Sequence, residues 1–134
     1  MGAARRVPGL YAPLAMADTE ELPRAGWRVY FDDLSRALGT TQATVEIEAP
    51  DLGAQVQAEG LVLSGISYDD RDDVLVVGVS PGGPTESLEH FVSSPQKIWV
   101  ESSESVLPST IEIQDAEGQT TLVRLQAAPA LPAQ

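Results

Sequence analysis

Asp69, Asp70, Asp72 and Asp73 place four carboxylates within five residues, the densest set of hard-cation ligands in the chain. Calcium takes six to eight oxygens from staggered positions, commonly with a turn glycine and a distal bidentate glutamate. This run has no glycine and carries the opposing charge of Arg71 at its centre. It reads as a solvated connection whose aspartates stabilise turns, and no metal-ligating residue is assigned. His90 is the single histidine, so any mechanism needing two imidazoles from one chain is excluded and a triad would have to use it. No feature of the spacing supplies it with an oriented partner. Glu46, Glu48, Glu59, Glu112 and Glu117 are numerous enough for a glycosidase-like pair. Such a pair has meaning only at a fixed separation across a cleft, and on alternating strand positions glutamate reads as the wet face.

Cysteine is absent, which removes disulfides, thiolate chemistry and Cys-ligated zinc or iron–sulfur sites. The Pro81–Pro84 loop has neither the lysine nor the spacing of a phosphate cradle, and Ser64-Gly65 lacks the residues that precede a nucleophile elbow. No catalytic or cofactor-binding residue is assigned, and no cofactor is expected.

The elements that would position these groups change period along the chain. After Pro23, the residues Trp27, Tyr30, Phe31, Leu34 and Leu38 fall at i, i+3, i+4, i+7 and i+11, the stripe of a helix packed on a core. Asp32 stands four residues from both Arg28 and Arg36, the spacing of helical ion pairs, and Gly39 sits where a C-terminal cap belongs. Beyond it the period is two. Strands are predicted at 44–48, 54–68, 74–79, 97–101, 110–114 and 120–125, with bulges where Gly60 and Gly65 shift the parity. Ile111 and Ile113 alternate with polar residues, and Asp115–Gly118 supplies the turn of a C-terminal hairpin. Thr85–Val92, with Leu88, Phe91 and Val92 on one side, reads as a second short helix.

The net charge of −12 lies wholly in residues 41–134, because five arginines balance five acids in residues 1–40. Such a surface repels phosphate backbones and anionic lipid, so neither nucleic acid nor membrane is expected as a partner. The longest strongly apolar run, Val74–Val79, is far shorter than the ~20 residues of a membrane span. Arg5, Arg6 and the Ala15-Met16-Ala17 run superficially resemble an export signal. Pro8, Gly9 and Pro13 interrupt it, so residues 1–22 read as a disordered tail on a cytoplasmic protein, with Met16 an alternative start. Residues 128–134 read as a second disordered tail, leaving one domain over 23–127.

Several segments in order resemble a bacterial family of small domains of unknown function. They are Leu22-Pro23 with Trp27, the run Tyr30–Arg36, Ala43–Glu46, and Asp51–Gly53 with Gln55 and Glu59. Gly65-Ile66, Tyr68-Asp69, Asp72–Leu75, Ile111–Ile113, Asp115, Gly118 and Leu122–Leu125 complete the match over residues 22–126. The resemblance implies bacterial origin and a compact domain, and brings no catalytic residue.

The expected fold is α+β: an N-terminal amphipathic helix on a bent antiparallel sheet or small barrel of about six strands, with a second short helix. The expected function is a non-catalytic binding or protein-interaction module, taking an unknown protein partner or self-associating. The rival is a small cofactor-free enzyme using carboxylates or His90. A small RNA-binding barrel of the Sm type is disfavoured by the charge.

Overall fold

Alternation of apolar and polar residues sets most of the architecture. The computed structural model describes residues 19–51, 53–81 and 87–126. The strands are β1 (Thr19–Glu21), β2 (Gln42–Ala49), β3 (Gly53–Asp69), β4 (Val74–Ser80), β5 (Leu88–Ser93), β6 (Pro95–Glu101), β7 (Thr110–Asp115) and β8 (Thr120–Gln126). A 3-10 turn at Arg24–Gly26 leads into the helix α1 (Trp27–Arg36). The strands form a single antiparallel sheet in the order β1-β6-β7-β8-β2-β3-β4-β5. No helix among the described residues is long and apolar enough to cross a membrane.

Length and bulges bend β3. At 17 residues it pairs with β2 through its first part and with β4 through its second. The register with β2 shifts opposite Gly60, whose φ of 65° suits glycine and whose N–H is taken up by the Thr44 hydroxyl at 3.1 Å. A second shift lies between Leu63 and Gly65. Beyond it the edge of β3 facing away from β4 is covered by α1, and Ser35 takes the place of a strand residue there. Its Oγ donates to the Ile66 carbonyl at 2.8 Å and accepts from the Ile66 N–H at 2.9 Å. The inner sides of β2 to β8 and the stripe Trp27, Phe31, Leu34 and Leu38 share one buried core.

The sheet is open but strongly curled. Only Ser94 separates β5, at one end of the strand order, from β6, near the other. Ser94 turns this corner at φ 54°, donating its N–H to the Asp73 carbonyl at 2.9 Å and accepting from Ala116 N–H at 3.1 Å.

The expected α+β fold of about six strands with a second helix is therefore corrected: the chain is mostly strand, in one eight-stranded open antiparallel sheet with a single α-helix among the described residues. The two extra strands have different physical origins. Thr19–Glu21, placed in the expected tail, pairs with β6 through Trp99, Val100 and Glu101. Leu88–Ser93, expected as the end of a helix, pairs along β4 from Val79↔Leu88 to Val74↔Ser93. Leu88, Phe91 and Val92 satisfy helical spacing, yet Leu88, His90 and Val92 also alternate with Glu89 and Phe91, and an unpaired edge on the apolar β4 decides between the two. Thr85 and Glu86, the expected start of that helix, lie outside the described residues, as do residues 1–18 and 127–134.

Candidate functional site

The carboxylates of the acidic run diverge to separate partners. Asp69 Oδ1 accepts from the N–H groups of Asp72 (3.2 Å) and Arg71 (2.9 Å), and these backbone hydrogen bonds hold its carboxyl below the usual range. Asp70 pairs with Arg28 at 3.7 Å. Asp73 accepts from the Tyr68 hydroxyl at 2.7 Å and from Arg24 at 3.4 Å, while burial foremost pushes the Tyr68 phenol up. Arg24 also lies 4.4 Å from the centre of the Trp27 ring and donates to the Pro95 carbonyl at 2.9 Å. It thus ties the start of the helix to the β3–β4 turn and to the β5–β6 corner. Among the described residues no group of three or more His, Asp or Glu could hold a metal ion.

His90 sits on the inner side of β5, opposite Val77. Its Nε2 is buried with no hydrogen-bond partner among the described residues, and burial lowers its pKa. Glu89, its neighbour on the strand, leaves from the other face, so imidazole and carboxylate do not converge. Glu46 pairs with Arg124 at 2.6 Å on the outer face. Glu112, two strands away, is half-buried, and its carboxyl is pushed up by burial first and by Glu48 second.

These shifts set opposite pH trends. A carboxyl whose pKa is raised on folding costs stability as pH rises from its ordinary 4.5 through the raised value. Glu112→Gln is therefore expected to melt roughly 2 °C above the parent at pH 7, the partly exposed site limiting the gain, and to match it near pH 4, where both side chains are neutral. An imidazole whose pKa is lowered costs stability as pH falls below 6.5, so His90→Leu should lose less stability than the parent in that range. Thermal melts across the pH range check both trends, and curves that run parallel to the parent's would contradict them.

A groove of 370 Å³ lies between α1 and the outer face of β3, β4 and β5. Gly65, Gly78 and Glu89 form one cross-strand row, and Ser67, Val76 and Phe91 the next on the same face. The floor stays open because the first row begins with two glycines. A Cβ at Gly78 would come within 2.9 Å of the Ser64 hydroxyl, and one at Gly65 within 3.6 Å of the Ser35 hydroxyl. One wall is α1, with Asp32, Ser35 and Arg36, and Glu89 stands at the other side. The helical pairs read from sequence do not form: Arg28 goes to Asp70 and Arg36 to Asp33. Asp32 and Glu89 are left without an ion pair among the described residues.

Sequence reasoning missed this site because it placed Glu89 and Phe91 on a helix. The signal available was the alternation of Leu88, His90 and Val92 against Glu89 and Phe91 directly after an apolar strand.

A family of unknown function, DUF5335, matches residues 18–134. The chain belongs to that family. An uncharacterized protein of Aquifex aeolicus (strain VF5) is 33% identical over 114 residues, covering 85% of this chain and 97% of that one. No solved structure matches the chain. Membership in DUF5335 agrees with the resemblance carried by residues 22–126, and both it and the Aquifex relative leave the function unassigned. The Tyr30–Arg36 run and Gly65-Ile66, two segments that carry the resemblance, meet at the groove.

Proposed function

We propose that the chain is a non-catalytic interaction module that takes up an extended segment of a protein partner along the edge of β5 that pairs with no strand among the described residues. The observation that carries this reading is the combination of an end strand, paired on one side only among the described residues, with two large apolar side chains, Leu88 at 55% and Phe91 at 56% exposure. Unpaired strand edges bind other chains unless they are blocked, and β-strand addition is a common mode of peptide recognition.

Which backbone groups are available follows from Ser35. Because Ile66 directs its N–H and C=O at Ser35, the pair Ile66↔Val77 is of the non-hydrogen-bonded kind. Val77 then bonds to His90, and the N–H and C=O of Glu89 and Phe91 point to the open edge. A proline there removes an edge donor without removing a bond to β4.

Peptides selected from a random display library on the intact chain provide the test. Selected peptides are expected to bind the parent and to lose binding to Phe91→Pro, whose melting temperature should stay within a few degrees. Binding that survives in a folded Phe91→Pro chain would place the site elsewhere and overturn the reading.

A further inference from the structure

We infer that the segment taken up by β5 is basic, an extended peptide in which lysine or arginine alternates with apolar residues. The inference rests on the reading of β5 as the docking edge and adds the chemistry of the occupant.

A strand laid against β5 places every second side chain on the outer face, beside Glu89 and Phe91. Directly opposed Cβ atoms in an antiparallel pair stand about 5 Å apart, within easy reach of an ammonium or guanidinium. Glu89 carries no ion pair among the described residues, and neither does Asp32 on the facing wall of the groove. Arg36, the one cation among the described residues that line the groove, is held by Asp33. The floor between the two carboxylates is Gly65 and Gly78, with only the Ser64 and Ser35 hydroxyls close over it, so both carboxylates act on one shallow groove and Glu89 stands nearest the added strand. Phe91 with its cross-strand neighbour Val76 offers an apolar seat for another residue of the segment. The net charge of −12 draws such a peptide in and opposes the alternative occupant, a second copy of the chain, which would bring the same charge.

The intact chain is titrated by calorimetry with three capped peptides: one alternating lysine and valine, its glutamate counterpart, and a serine counterpart. The lysine peptide should bind at least about tenfold tighter than either of the others and weaken as salt is raised. The double variant Asp32→Asn, Glu89→Gln should lower its affinity by about tenfold, more than the same neutralisation at a distant pair, Glu20 on β1 at the other end of the strand order and Glu104 in the β6–β7 loop. Equal affinity for the glutamate or serine peptide, or an equal loss at the distant pair, overturns the inference. Display-selected peptides that need Phe91 unaltered but lack basic residues overturn it too, and leave the edge reading standing. A lysine peptide that binds a folded Phe91→Pro chain unchanged sinks both. Sedimentation of the parent as a dimer that Phe91→Pro dissolves would assign the edge to a second copy instead.

Discussion

Phe31→Ala is expected to unfold the domain, or to leave it a small fraction of its stability. The ring is fully buried, sits 5.2 Å from the Tyr30 ring in an edge-to-face contact, and lies on the helix face shared with Trp27 and Leu34. Truncating such a ring removes its transfer free energy and leaves a cavity, together about 3–5 kcal/mol. A domain of this kind holds about 5–15 kcal/mol in total, so the loss is a large share of it. The location adds to the effect, because α1 covers the part of β3 that β2 no longer pairs, and a helix that loosens exposes both the core and a strand edge. Phe31→Leu keeps most of the volume and should cost less than half as much. Urea unfolding followed by circular dichroism gives the comparison. A midpoint for Phe31→Ala equal to the parent's would mean that the helix stripe faces solvent or a partner.

The same stripe was legible in the sequence because it is local. Trp27, Phe31 and Leu34 repeat within one element, and their period needs no knowledge of what lies across from them. Six of the strands were legible for the same reason, each carrying its own alternation or, in Val74–Val79, its own apolar run. The bulges showed themselves through Gly60 and Gly65, where parity changes. What escaped was set by partners far away in sequence. Thr19–Glu21 has no apolar face and is a strand only because the edge of β6 accepts it. Leu88–Ser93 carries both periods at once, and β4 settles the choice. The site depended on that choice, since Glu89 reaches the groove and Phe91 the open face only when the segment is extended. Asp32 was visible as a charge but not as one without an ion pair among the described residues, because its two helical neighbours leave for Asp70 and Asp33.

Ser35→Ala is expected to cost about 2–3 kcal/mol, far more than a small polar residue on a helix usually does. On an exposed helix face, serine to alanine gains a few tenths of a kcal/mol from propensity. Here the hydroxyl serves both backbone groups of Ile66, whose side chain is buried, at 2.8 and 2.9 Å. Without it, one N–H and one C=O lose their partner at a part-buried helix–strand contact; each unsatisfied group costs about 1–3 kcal/mol, and water entering from the adjoining groove offsets part of the sum. Ser35→Thr keeps the hydroxyl and should retain most of the stability, because the facing residue is Gly65, which has no side chain to obstruct an added methyl. The neighbouring Arg36→Ala serves as contrast: its pair with Asp33 is exposed, and its loss should fall within about 0.5 kcal/mol. Amide hydrogen exchange separates a specific loss from a general one. In Ser35→Ala the Ile66 amide should exchange faster by a larger factor than the amides of β7 and β8, since the edge of β3 opens before the sheet does. Uniform acceleration across all strands, or a melting temperature equal to the parent's, would show that Ser35 does not stand in for the missing strand.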